Sequence, residues 1–146
     1  MNTTRNRFLL AGAAASAAAA LVHFGCIVFG APWYRFLGAG EGMALMAERG
    51  ESHPTLMAAG IGAVLLIWAL YALSGAGVVR RLPLLRTVLC AITAVYLLRG
   101  VAFVAIQPLF PGNSLTFWLV SSGICLAIGI VHAIGLRQRW RELGPR

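Results

Sequence analysis

Residues 55–78 read TLMAAGIGAVLLIWALYALSGAGV, a run of 24 residues without a charged side chain. As a helix, rising about 1.5 Å per residue, it would be about 36 Å long. The hydrocarbon layer of a bilayer is about 30 Å thick, so the run is long enough to cross it.

Three more apolar runs, at 8–29, 84–107 and 115–136, fill most of the remaining 146-residue chain. The expected fold class is therefore all-α: an integral membrane four-helix up-down bundle, one membrane domain over residues 1–146. The hydrophobic fraction is 60% and the charged fraction 11%. A soluble domain carries about a quarter charged residues.

The net charge is +8, every base is Arg and every acid is Glu. Together with the many alanines, this composition points to a GC-rich bacterial genome and hence to a bacterial inner membrane. The arginines cluster at the ends of the apolar runs without interleaved aromatics, which argues against a nucleic-acid partner. Arg5, Arg7, Arg80, Arg81, Arg86, Arg137, Arg139, Arg141 and Arg146 fall on one side of a four-span chain, and Arg35 and Arg49 on the other. The positive-inside rule then places both termini in the cytoplasm. Arg5 and Arg7 before Ala13–Ala20 could open a signal peptide, but the apolar run continues through Phe29, longer than an h-region. A retained first span is expected.

Cys26, Cys90 and Cys125 all lie inside spans and form no CxxC pair, so small packing residues are expected rather than a disulfide or metal site. Gly12, Ser16 and Ala20 recur every fourth residue in span one, the pattern of a close helix–helix contact. In span two, Gly60, Val64, Trp68, Tyr71 and Gly75 share a helical face.

The first loop, 31–54, is the only long one. Trp33, Tyr34 and Phe36 open it as an interfacial aromatic belt. The segment 41–49 reads as a short amphipathic helix, lying on the outer surface or over the bundle as a lid. Ser52 or His53 is the expected cap of span two, with Pro54 in its first turn. Arg80, Arg81 and Pro83 make one short turn. Pro108, Pro111, Gly112 and Asn113 make another, with Asn113 or Ser114 capping span four.

Arg99 stands inside span three, eight residues before Gln107. On a straight helix that is about 12 Å below the outer end. Arg at mid-span costs about 2.5–3.5 kcal/mol to insert, so it needs a partner or water. Depth counting puts His23, Ser121 and Ser122 in the same layer, with Tyr96 one turn below. A loop acid, Glu41, Glu48 or Glu51, could fold inward onto Arg99. These groups either neutralise one another and pin the lid, or line an outward-facing pocket for an anionic or polar ligand such as a lipid headgroup or quinone carbonyl.

His132 shares a face with Ser122, Cys125 and Gly129 but lies near the inner end of span four, about 15 Å in depth from His23. That excludes a shared haem and leaves an interfacial polar residue as the ordinary reading. His53 lies beside Glu51 at the outer mouth, without metal-motif spacing. Met43, Met46 and Met57 are too few for a copper relay, and no metal or cofactor is expected.

Walker A, dinucleotide, nucleophile-elbow and paired-carboxylate motifs are absent from the sequence. In size and in having four spans the chain resembles DoxX-like and other small bacterial membrane families, a likeness that transfers no residue role. The expected role is a non-enzymatic helper or interaction protein, its partners the lipid bilayer and a second copy or another membrane protein. The alternative is an oligomeric transporter or a lipid- or quinone-binding bundle using Arg99, His23 and Tyr96. A membrane enzyme with His23 as acid/base ranks last.

Overall fold

The computed structural model describes residues 5–109 and 112–144. Pro111 of the expected turn and Arg146 of the basic tail lie outside the described residues. All regular elements among the described residues are helices: α1 (Arg7–Phe29), α2 (Ala31–Phe36), α3 (Glu41–Glu48), α4 (Ser52–Ala76), α5 (Leu85–Val101), α6 (Phe103–Ile106) with a 3₁₀ turn Gln107–Leu109, and α7 (Leu115–Gln138).

Helices α1, α4 and α7 have 23, 25 and 24 residues and are apolar enough to cross a membrane. They mark the chain as a membrane protein. A fourth crossing requires α5 and Phe103–Leu109 together, and these are bent by 65°. The expected continuous span 84–107 is thus broken at Ala102, where the backbone leaves helical geometry at ψ 2. Gly100 weakens the last turn of α5, and Pro108 removes a donor from the segment beyond it.

Helix α1 packs along α4, and α5 along α7; α7 also meets α1, and α5 meets α4. The buried faces of α1 and α4 are built largely of small residues. On α1 they include Gly12, Ala13, Ser16 and Ala20, the expected four-residue pattern. On α4 the buried stripe is Ala58, Gly62, Leu65, Ala69, Ala72 and Ala76. It runs beside the face expected from the sequence, of which Gly75 is buried, Trp68 and Tyr71 are half-buried, and Gly60 and Val64 are exposed. Many large apolar side chains point outward, with Val28 76%, Val104 69% and Leu21 67% exposed, while Leu9, Leu89 and Ile92 fill the core between the helices. Small contact faces and an apolar exterior suit hydrocarbon, where packing rather than the hydrophobic effect holds helices together.

Two glycines bring α5 and α7 to backbone contact. A Cβ at Gly100 would lie 3.0 Å from the Leu126 backbone nitrogen, and one at Gly129 3.0 Å from that of Leu97. Phe24 fills the space over Gly62 in the same way, and Leu89 and Leu9 that over Gly75.

The start of α1 and the end of α7 lie at one end of the molecule. The Asn6 side chain accepts from the Leu9 amide at 2.9 Å, capping α1. It also donates to Gln138 Oε1 at 2.8 Å, and the Asn6 amide donates to the Ala76 carbonyl at 3.2 Å. The C-terminal segment folds back over the α4–α5 turn. Arg81 donates to the carbonyls of Glu142 at 2.8 Å, Leu143 at 2.7 Å and Gly144, and Leu143 is buried. Arg86 sits over the Trp140 ring, 4.9 Å from its centroid.

The first loop caps the opposite end. Helix α3 covers the segment expected to be amphipathic, and α2 adds a turn that the sequence reading treated only as an aromatic belt. The α2–α3 link reaches across to the start of α7: a Cβ at Gly38 would lie 3.0 Å from Phe117 Cβ, and one at Gly40 2.8 Å from Asn113 Oδ1. Positive φ values of 71° and 96° at these two positions also favour glycine. Ser114 caps α7 as expected, accepting from the Phe117 amide at 3.1 Å. The cap position of α4 is Glu51, without a side-chain capping bond, rather than Ser52 or His53.

Candidate functional site

Arg99 occupies the last turn of α5, where the helix macrodipole favours a cation. Its guanidinium donates to Ser122 Oγ at 2.9 Å and to Ser121 Oγ at 3.1 Å. The same group lies over the Trp118 ring, 4.9 Å from the centroid. Trp118, Ser121 and Ser122 share a face of α7 because they are three and four residues apart. Arg99 with Ser121 and Ser122 is the pairing expected from depth. Trp118 was not anticipated, although its spacing to the serines was the signal that could have found it.

The break after α5 changes the depth arithmetic. Beyond Val101, the segment Phe103–Leu109 runs at 65° to the α5 axis. Over the eight residues from Arg99 to Gln107 the chain therefore advances only about 8 Å along that axis, not about 12 Å.

No acid reaches Arg99. The chain has four acidic residues, and each is bound to another arginine. Arg35 takes two of them: Nη2 donates to Glu41 Oε1 at 2.6 Å, Nε to Glu41 Oε2 at 3.0 Å, and Nη1 to Glu48 Oε1 at 2.6 Å. Glu51 pairs with Arg49 at 2.7 Å, and Glu142 with Arg139. The expected inward fold of a loop acid is therefore corrected. Glu41 and Glu48 stand six and thirteen residues from Arg35 in the same first loop and bind it across the α2–α3 turn. Hydrogen bonds from Arg35 hold both carboxyls below the usual carboxylate range, and they keep the guanidinium more firmly protonated.

Tyr96 makes no hydrogen bond to the Arg99 group among the described residues. Its hydroxyl shares a 2.9 Å hydrogen bond with Ser16 of α1. Its ring meets Trp68 edge-on at 5.1 Å and His132 at 5.5 Å between centroids. His132 has no exposed surface, so it is a core residue and not the interfacial one expected. Its Nδ1 bonds the Ile128 carbonyl oxygen at 2.9 Å, while Nε2 is buried without a partner. The ring meets α1 at Gly12, eleven residues before His23. That is about 16 Å along the helix axis, in line with the depth separation that argued against a shared haem.

His23 is half-buried, and its Nδ1 bonds the Ala19 carbonyl oxygen one turn below at 2.8 Å. No hydrogen bond links it to Arg99, Ser121 or Ser122 among the described residues. His53 is exposed at the start of α4. No group of three His, Cys or Glu side chains suited to a metal occurs among the described residues.

Two polar groups thus replace the single layer expected. One is the donor group Arg99–Ser121–Ser122 against Trp118. The other is the core array Ser16–Tyr96–His132, below it along α5. The chain matches no protein-family model, no curated protein and no solved structure. The likeness in size and span number to DoxX-like families accordingly assigns no residue.

Proposed function

We propose that the chain is a multi-pass protein of the bacterial inner membrane whose role is binding rather than catalysis. In this reading it is a four-helix up-down bundle with both termini in the cytoplasm. Arg99, Ser121 and Ser122 receive the anionic group of an amphiphile in the outer half of the membrane. The packing of α1 on α4 and α7, and of α5 on α4 and α7, supports the bundle order. The distribution of arginines supports the orientation.

The observation that carries the functional reading is the charge balance around Arg99. It is the one arginine away from the ends of the apolar runs, its bonded partners are neutral hydroxyls, and every acid is engaged elsewhere. The planar guanidinium has five N–H donors, and two oxygens of a phosphate or carboxylate can accept two of them at once. An anion would offset an insertion cost of about 2.5–3.5 kcal/mol that hydroxyl dipoles meet only in part.

The ligand is an amphiphile because the helices leave little room for a solute between them. The backbone contacts at Gly100 and Gly129 close α5 against α7, and His132 closes α7 against α1. A route through one protomer has no support in that packing. Arg99 is only part-buried, at the end of α5 where the chain turns by 65°, and this exposure supports access from the side by a lipid headgroup. This keeps the non-enzymatic expectation and prefers the ligand-binding alternative to an assembly helper.

The test uses Trp118 as reporter, with Trp33, Trp68 and Trp140 replaced by Phe, in nanodiscs containing brominated phosphatidylglycerol or brominated phosphatidylcholine. Stronger quenching by the anionic lipid is expected, and Arg99→Gln should abolish the preference. Equal quenching by the two lipids would overturn the assignment.

A further inference from the structure

The end of the molecule opposite the first loop holds a recess of about 400 Å³ unrelated to Arg99. It forms where α1 begins and α7 ends. Its base is the joint made by Asn6 and Gln138, whose side chains are bonded at 2.8 Å, and Asn6 is itself buried. That joint is fixed from a third side by the bond from the Asn6 amide to the Ala76 carbonyl at the end of α4. Its position therefore does not depend on the flexibility of a free tail.

Arg5, Arg7 and Arg139 supply the charge of the recess, and Glu142 is its one acid. Glu142 is bound to Arg139, and the remaining acids lie in the outer loop. The lining thus carries a net +2, from three arginines and one glutamate. Phe8 forms an apolar lip and is part-exposed, as Trp140 is nearby in sequence beyond α7. Apolar lip, polar base and unneutralised guanidinium groups occur together at the level where the spans end.

We propose that this recess binds the phosphodiester headgroup of an anionic phospholipid, with the acyl chains descending past Phe8. On the orientation proposed above, the lipid belongs to the cytoplasmic leaflet. Basic pockets between membrane helices on that side have the charge and depth that acidic headgroups require. Arginine is suited to the task because its planar fork takes two phosphate oxygens together. The two lipid-facing sites use different residues at opposite ends, so the recess does not depend on the Arg99 reading.

The experiment measures thermal unfolding of the full chain in nanodiscs of phosphatidylcholine, with and without phosphatidylglycerol. The anionic lipid should raise the midpoint, and the double variant Arg5→Gln, Arg7→Gln should lose more than half of that rise. Arg141→Gln, exposed and outside the recess, should keep it. The same comparison made in an Arg99→Gln background should give the same loss, which separates this site from the outer one. Inorganic phosphate added to phosphatidylcholine nanodiscs should give no rise. A full rise in the double variant, an equal loss in Arg141→Gln, or a rise with inorganic phosphate alone would each overturn the proposal.

Discussion

The imidazole of His132 occupies the space that a side chain at Gly12 would need: a Cβ there would lie 2.5 Å from Cε1 and 2.8 Å from Nδ1. The ring is held in place by its Nδ1 bond to Ile128 and by Tyr96 beside it. Gly12→Ala must therefore move a core residue. Overpacking of this kind costs about 1–3 kcal/mol. Unfolding in mixed micelles should show that loss, and His132→Ala in the Gly12→Ala chain should recover part of it. Purely additive effects of the two changes would break the coupling inferred here.

Gly100 and Gly123 give a matched pair on the two helices of the second hairpin. A Cβ at Gly100 would meet the Leu126 backbone at 3.0 Å, and backbone cannot give way as a side chain can. A Cβ at Gly123 would meet nothing within 4 Å. Gly100→Ala should destabilise by about 1–3 kcal/mol through forced separation of α5 and α7. Gly123→Ala should be neutral or stabilising by up to about 1 kcal/mol, since alanine favours helix. Equal effects in a denaturation titration would contradict the close approach.

These glycines show where reading the sequence stopped. The four apolar runs, the helix at 41–49 and the small-residue face Gly12–Ser16–Ala20 were legible because each is a local pattern of length or period. Arg99 with Ser121 and Ser122 was legible too, from rise per residue alone. The break at Ala102 was not, because Gly100 and Pro108 are both tolerated in membrane helices and hydropathy does not see a bend. The acids were misassigned because a count of depth ignores the nearest opposite charge: Arg35 sits in the same loop as Glu41 and Glu48. His132 was misread because its seven-residue distance from Cys125 gives its face but not what packs there. Which residue of α1 receives the ring depends on how the helices are rotated about their axes.

Arg35 also gives the outer cap a pH dependence of definite sign. Its hydrogen bonds lower the carboxyls of Glu41 and Glu48 from their ordinary values. A carboxylate depressed in the folded state stabilises above its unfolded pKa, about 4.3 for Glu. That contribution is lost as pH falls through the lowered folded value. Amide protection of α3, corrected for intrinsic exchange, should thus be intact at neutral pH and fall in the acid range below about 4. Glu41→Gln with Glu48→Gln should show reduced protection at neutral pH and no further acid loss. An unchanged acid transition in that double variant would remove Arg35 as its cause.

Arg99→Leu separates a structural charge from a binding one. The substitution removes two bonds to serine hydroxyls, worth about 0.6 kcal/mol each in membrane proteins. It also removes an insertion cost of about 2.5–3.5 kcal/mol and adds a side chain that favours hydrocarbon by about 0.5 kcal/mol. With the contact to Trp118 counted at about 0.5–1 kcal/mol, the balance in a bilayer of neutral lipid still favours the leucine variant by about 1–2 kcal/mol. The variant should therefore be at least as abundant as the parent, while losing the Trp118 preference for anionic lipid. If Arg99 serves only to hold α5 on α7, the parent shows no such preference and the variant has none to lose. Measuring abundance and quenching in the same nanodisc preparation decides between them, because a preference for anionic lipid that disappears without loss of folded protein belongs to the binding role alone.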